Sequence, residues 1–443
     1  MGPVNQAFRS DDRPHPSIPS PEGEGEEEKG STMAYGDGPA DEALGSAWNA
    51  FCDQLKEAGD KVFKDANPAA PIHRADGYRF LTQNLGQAFD LALETKDPAY
   101  PQIHYFTHPA MKLGGDVSDF TYRQAWISGD HTYRITGKRG TARWFNLTVQ
   151  GPKPAKIPGT DFAPLHEPFG DTPECNILGA QIKTDAEGNF ELFIGGPERA
   201  ENWLPTTPGS RKLFIREAYD AWFEKPTTLS IERVGMDSPR PMATPERMIE
   251  AMGWAGDFVS GFMRDWPEHS WMTSGGVCDP SQLNVFPADK SANSADDAKR
   301  GRMAANLIWS LKSDEALIVE MDMHDGFWLF GMGGPFVQSM DFLHRCTSYS
   351  PARTKVDSDN VVRLVMAHDD PGVHNWLDTQ GFSDGNLGYR NLMSQNPATF
   401  RTKLVKRAEL IDALPKDTAM VTRAERVQQL QDRYHSIKLR FGI

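Results

Sequence analysis

Short apolar runs bounded by turn residues recur along this chain, and they fall into two similar sets. NFELFIGG (189–196) and NVVRLVMA (360–367) have the branched and aromatic make-up of half-buried strands. Each leads into Asn-Trp-Leu, at 202–204 and again at 375–377, and then into a turn that contains Gly. A further strand follows in each set, KLFIREAY (212–219) and NLGYRNL (386–392), then a Pro and a third strand, TLSIERV (228–234) and FRTKLVKR (400–407). Arg216 corresponds to Arg390 and Arg233 to Arg407. Upstream, 131–150 and 315–334 share one layout, two strands joined as a hairpin by a short polar turn with Gly. The repeating unit is therefore about five strands long, and such a repeat governs the reading of the fold.

Helical spacing appears between and around these sets. TPERMIEAMGWAGDFVSGFM (244–263) aligns with TRAERVQQLQDRYHSIKLRF (422–441), each opened by a Thr that can cap a helix, which extends the duplication to a trailing helix. Helices are also expected at about 43–66 and 76–95, and DDAKRGRMAANLIWSLK (296–312) reads as another. Strands in runs, without strand–helix alternation, favour antiparallel sheets with helices alongside. The expected fold is mainly β with helical additions (α+β), built as two tandem related antiparallel β-sandwich or jelly-roll-like halves. The expected divisions are a disordered acidic tail (1–42), a helical N-terminal segment (43–118), a first half with its helix (119–265), a loop and helix linker (266–312) and a second half with a C-terminal helix (313–443).

Composition narrows the function classes. The tail is rich in Pro, Gly, Ser and Glu and cannot bury enough apolar surface to order itself, so a chain begun near Gly38 should keep its melting temperature, as calorimetry would check. A net charge of −14 over 443 residues argues against a nucleic-acid partner. No apolar stretch is long enough for a membrane span and no secretory h-region opens the chain, so a cytoplasmic location is expected, with no membrane partner; a homo-oligomer is compatible with the sequence. The four cysteines show no ligand-like spacing.

YRI (133–135), ENWLP…PG (201–209), SMDF (339–342) and DPGVHNWLDTQGFSDG (370–385) resemble strings of the bacterial domain-of-unknown-function family 1214, in the same order, over roughly residues 75 to 410. The resemblance implies a largely β fold and brings no established reaction. His374 stands where members tend to have Pro, and Phe382 where they tend to have His.

Candidate chemistry gathers where the two copies differ. The second Asn-Trp-Leu loop adds His368, Asp369, Asp370, His374 and Asp378, and a histidine beside a carboxylate is what general acid–base catalysis uses; the plain alternative is an Asp capping a Pro-Gly turn. In ALIVEMDMHDG (316–326), alternation puts Glu320, Asp322 and His324 on one strand face, as a cavity wall or simply as the wet face. The expected catalytic set is His368 with Asp370, supported by His324, Asp322 and Glu320. Trp328, Trp376, Trp144, Phe330, Asn375 and His374 are the expected substrate contacts, although a motif present in both halves also suits a purely architectural role and the aromatic cluster also suits a sandwich core. If the second-half groups do not converge, the first half is next, beginning at Arg143, Trp144 and Asn146.

Dinucleotide, Walker and nucleophile-elbow motifs are lacking. His104 and His108 lie in an expected extended stretch, too far apart for a chelate, so the expected cofactor is none, with a divalent metal on the second-half carboxylates and histidines as a lesser alternative. The functional expectation is a cofactor-independent lyase, isomerase or hydrolase acting on a small hydrophobic, cyclic or aromatic substrate. A non-catalytic ligand- or carbohydrate-binding β-sandwich and a metal-dependent enzyme are the alternatives.

Overall fold

The computed structural model describes residues 38–65, 67–153, 171–273, 280–286, 303–324, 326–393 and 397–443. Two helices, α1 (Pro39–Asp60) and α2 (Pro71–Phe89), precede β1 (His104–Thr107). The first half follows with β2 (Phe120–Trp126), β3 (Tyr133–Lys138), β4 (Trp144–Gln150), β5 (Pro173–Leu178), β6 (Asn189–Ile194), β7 (Trp203–Leu204), β8 (Lys212–Ala218) and β9 (Thr228–Arg233), and ends in α3 (Pro245–Thr273). The second half contains β10 (Met303–Ser310), β11 (Glu315–Asp322), β12 (Trp328–Gly333), β13 (Ser348–Tyr349), β14 (Val361–Ala367), β15 (Trp376–Asp378), β16 (Asp384–Asn391) and β17 (Phe400–Lys406), then α4 (Arg423–Phe441). Among the described residues, no helix is long and apolar enough to cross a membrane.

The duplication is plain in the sheets. The first half pairs its strands as β1-β2-β8-β4-β5 and β7-β6-β3-β9, and the second as β10-β16-β12-β13 and β15-β14-β11-β17. Apart from the added β1, each strand of one half has its counterpart at the same place in the other. Even the short parallel pairing recurs, β6 with β7 and β14 with β15, inside otherwise antiparallel sheets. Each unit thus holds eight strands rather than five.

Alternation explains why each half closes into a sandwich. Ala125, Ile135, Leu147, Leu192 and Ile215 enclose one core, and Leu307, Val319, Phe330, Leu364 and Leu387 the other. Burying one such aliphatic or aromatic side chain contributes about 1.5–3 kcal/mol. The expected hairpins at 131–150 and 315–334 are not hairpins. β3 and β4 go to opposite sheets, as do β11 and β12, because the apolar face of each must cover the same core from opposite sides.

The helix expected at 296–312 is a second correction. Residues 303–310 are strand β10, and Ala305, Leu307 and Trp309 alternate into the sandwich core, a period of two that overrides a weak helical spacing. At the other end, residues 39–42 of the expected tail form the first turn of α1, whose Pro39 sits at a position where its missing N–H costs nothing; residues 1–37 lie outside the described residues. Thr422 caps α4 in a capping box with Glu425, and Thr244 accepts from Arg247 N at the start of α3. The two helices follow equivalent strands yet cover different sheets. α3 joins α1 and α2 over the outer face of the β2-β8-β4 sheet, against Tyr122 and Phe214, whereas Leu430 of α4 packs with the cluster on the outer face of β11 and β14.

The like sheets of the two halves face each other across a seam of Phe120, Trp144 and Ala218 on one side and Phe327, Leu329 and Leu392 on the other.

Candidate functional site

The expected catalytic residues do not converge. In the β11–β14 register Ala316 lies opposite Ala367 and Asp322 opposite Val361, so His368 and His324 stand at opposite ends of the sheet, on the order of 20 Å apart at a strand rise of about 3.3 Å per residue. Glu320 and Asp322 lie on the outer face and serve a ladder of ion pairs: Glu320 with Arg363 and Arg401, Asp322 with Arg401. His324 meets the Tyr389 hydroxyl at 2.8 Å and accepts from Gly326 N. His368 Nε2 faces the Lys312 carbonyl at 3.1 Å while Nδ1 meets the Thr379 hydroxyl at 2.8 Å, so both ring nitrogens are spent on the fold. Asp370 caps Gly372 N and grips Arg426 with both oxygens. This loop is a Pro-Gly turn tied to α4, which is the plain alternative read from the sequence.

The Asn-Trp-Leu motifs are architectural in both halves. Asn202 Nδ2 donates to the Lys183 and Glu191 carbonyls and its Oδ1 accepts from Lys183 N. Asn375 repeats every contact with Lys355 and Arg363. Trp203 and Trp376 donate their indole N–H to the Gly195 and Ala367 carbonyls. Trp328 and Phe330 are buried in the second sandwich core and Trp376 in the cluster beneath α4, so none of the three offers a ligand surface. Trp144 is in the seam, and His374 borders a different recess.

That first-half sheet carries something the sequence pattern did not advertise. Its outer face presents Phe120, Tyr122 and Gln124 from β2, Phe214 and Arg216 from β8, and Asn146, Thr148 and Gln150 from β4, while the residues between them fill the sandwich. These polar side chains are nevertheless buried, because the helical layer and the second half cover them. Between the layers lies a cavity of about 220 Å³. Phe106, Phe120, Tyr122, Phe214 and Trp266 supply its aromatic walls, and Gln124, Thr148, Gln150, Asp116, Asp171 and the corresponding arginines Arg216 and Arg390 supply its polar ones.

Two features show how the site is held. Trp266 donates its indole N–H to the Phe336 carbonyl and lies flat on Gly114, where a Cβ would come within 1.9 Å of the ring. Only glycine lets the indole form this wall. Arg216 and Thr148 both donate to Asn146 Oδ1, at 2.8 and 2.7 Å. Gln124 is fully buried and neither amide atom has a hydrogen-bond partner. Opposite it on β1, His104 turns Nδ1 to the Gln102 carbonyl at 3.4 Å and leaves Nε2 buried without a partner, and burial lowers the ring pKa.

The charges at the rim are shifted by the same burial. Asp116 accepts from Ser339 N at 2.6 Å and from the Ser339 hydroxyl, yet burial pushes its carboxyl above the usual range. Behind it Lys112, within reach of the Met340 carbonyl at 3.2 Å, is pushed down to about 7 by burial, against the pull of Asp116 and Asp341. Among the described residues no three His, Cys, Asp or Glu side chains are placed to hold a metal ion. The sequence offered two pointers to this site: Asn146, named as the start of a first-half search, and the Arg216–Arg390 correspondence. Gln124, Thr148 and Asp116 were not legible, since nothing in a strand's own pattern tells which layer will cover it.

No protein-family model matches the chain, and no curated protein matches it in sequence. Among solved structures, the fold is similar to that of an uncharacterised protein from Burkholderia cenocepacia, with a TM-score of 0.73 and 26% identity over 83% of this chain and 99% of that one. A protein from Vibrio parahaemolyticus matches at 12% identity over 80% of this chain and 100% of that one, with a TM-score of 0.39.

Proposed function

We propose that the protein binds a small, planar, polar molecule in the cavity between the first-half sheet and the helical layer over it, which Arg390 reaches from the second half. The observation that carries this reading is the Gln124 amide, fully buried against the cavity with neither atom paired. Leaving such a group unpaired costs about 1–3 kcal/mol, which a protein selected for stability alone would recover with a leucine. A ligand offering one acceptor and one donor to the amide, with a ring between Phe106, Phe214 and Trp266, uses both features at once. The volume is below that of drug-sized sites, so a ligand of one ring and a polar substituent fits best. This keeps the small cyclic or aromatic part of the sequence expectation, replaces its hydrophobic character with a polar one, and moves the site from the second half to the first.

A catalytic version of the same site is favoured by Asp116. Burial raises the pKa of this carboxyl, against the pull of Lys112 and the two Ser339 hydrogen bonds, and a raised carboxyl at a cavity is better suited to general-acid catalysis than one in water. For a substrate found by binding, Asp116→Asn should bind and fail to turn over.

Gln124→Leu tests the binding reading. Without ligand its melting temperature should equal or exceed the wild type's, since the unpaired amide is gone. Thermal shifts by small neutral ring amides such as benzamide should be present in the wild type and lost in the variant. A variant that melts well below the wild type, or one that responds to benzamide as the wild type does, would refute the reading.

A further inference from the structure

A second recess, of about 370 Å³, opens where the loop after β8 meets the β13 region and α4. Its walls include Trp222, Tyr349, Arg353, Lys355, His374 and Arg433. Trp222 is partly exposed, and the guanidinium groups of Arg353 and Arg433 lie 4.6 and 5.3 Å from its ring centroid. Arg433 gives both terminal nitrogens to Ser348, at 3.0 and 2.9 Å. Arg353 gives Nε to the Asp220 carbonyl and to the Ser350 hydroxyl, and Nη2 pairs with Asp119, but its buried Nη1 has no hydrogen-bond partner. Lys355 is exposed at the rim; its backbone N–H and carbonyl are held by Asn375 while its ammonium makes no hydrogen bond or ion pair.

The charge balance here runs against that of the molecule. Among the described residues, Arg353, Arg433, Lys355 and, just beneath, Arg440 outnumber the carboxylates Asp432 in the wall, Asp119 below it and Asp220, which accepts from Ala352 N and pairs with Arg143, in a chain whose net charge is −14. A local cationic excess in an acidic protein draws an anion, and an indole flanked by guanidinium groups presents a face on which a flat group stacks. The donors left over, one ammonium and one guanidinium nitrogen, suit the two oxygens of a carboxylate better than the three of a phosphate monoester.

We propose that this recess is a second binding site, for a small planar carboxylate, whose ring lies against Trp222 and whose oxygens lie between Lys355 and Arg353 Nη1. The site is independent of the cavity beneath the helical layer. Sodium benzoate and inorganic phosphate, titrated separately into the full chain and read by calorimetry and thermal shift, test it. Benzoate should bind more tightly than phosphate and weaken as salt is added. Lys355→Glu, on an exposed side chain that holds nothing in place, should weaken benzoate about tenfold or more, the effect of losing one ordinary charged contact, and Lys355→Gln by less. Gln124→Leu should leave benzoate binding unchanged. The proposal falls if benzoate does not bind, if phosphate binds as tightly, or if benzoate is indifferent to Lys355→Glu; loss in Gln124→Leu alone would assign it to the other cavity.

Discussion

Asp119→Ala should cost about 3–5 kcal/mol and lower the melting temperature by roughly 10 °C, the largest effect expected of any single polar substitution here. Asp119 is fully buried just before β2, with Arg353 Nη2 at 2.6 Å and Arg440 Nη1 at 2.9 Å, and both arginines are almost completely buried themselves. One carboxylate thereby ties the first half to the second and to α4. Burial alone would raise its pKa, but the two guanidinium groups overcome that and hold it well below the usual carboxylate range. A group whose folded pKa is depressed contributes stability above its unfolded value and loses it as pH falls toward the folded one. The contribution should therefore be constant above about pH 4 and fade in stronger acid. Urea denaturation of the wild type and variant at pH 7 and pH 3 would show the gap between them shrinking at the lower pH. A loss below about 1 kcal/mol at pH 7 would mean that the two arginines find other partners. Asp322→Ala, which breaks the exposed pair with Arg401, should cost far less, because solvent already screens it.

Asn375→Ala should cost about 2–3 kcal/mol, and Asn202→Gly only about 1 kcal/mol. The two side chains share three hydrogen bonds, Asn375 Oδ1 adds a contact with His374 Nδ1 at 3.0 Å, and the rest of the difference comes from cover. Asn375 is 4% exposed and leaves the buried Arg363 carbonyl unpaired, whereas water reaches the half-exposed contacts of Asn202. Glycine is the right replacement at 202 because its φ of 49° lies in the left-handed region, where alanine would add backbone strain of its own. Neither change should alter the response to benzamide. Equal losses at the two positions in denaturant melts, or a benzamide defect in either variant, would contradict the architectural reading of the repeated Asn-Trp-Leu motif.

The sequence alone determined the duplication and most of its elements. The matching runs at 189–196 and 360–367, the paired arginines and the Thr-capped helices are local patterns, and local patterns report which backbone geometry each segment favours and which of its faces is apolar. Such a pattern is silent about the partner that a face will meet. The strand 303–310 was misread because an alternating stretch with two small alanines also satisfies a helical period, and only its neighbours β16 and the sandwich core settle the choice. The expected catalytic residues failed to converge for the same reason at a larger scale. His368, Asp370 and Glu320 looked chemical because they are titratable and close in sequence or on one strand face, yet the register carries His368 and His324 to opposite ends of the sheet and gives the carboxylates to arginines. Gln124, Thr148 and Arg216 looked like an ordinary wet face until the helical layer and the second half closed over them. Alternation places a side chain on a face; whether that face meets water or a cavity depends on contacts between segments far apart in the chain, which only the assembled layers decide.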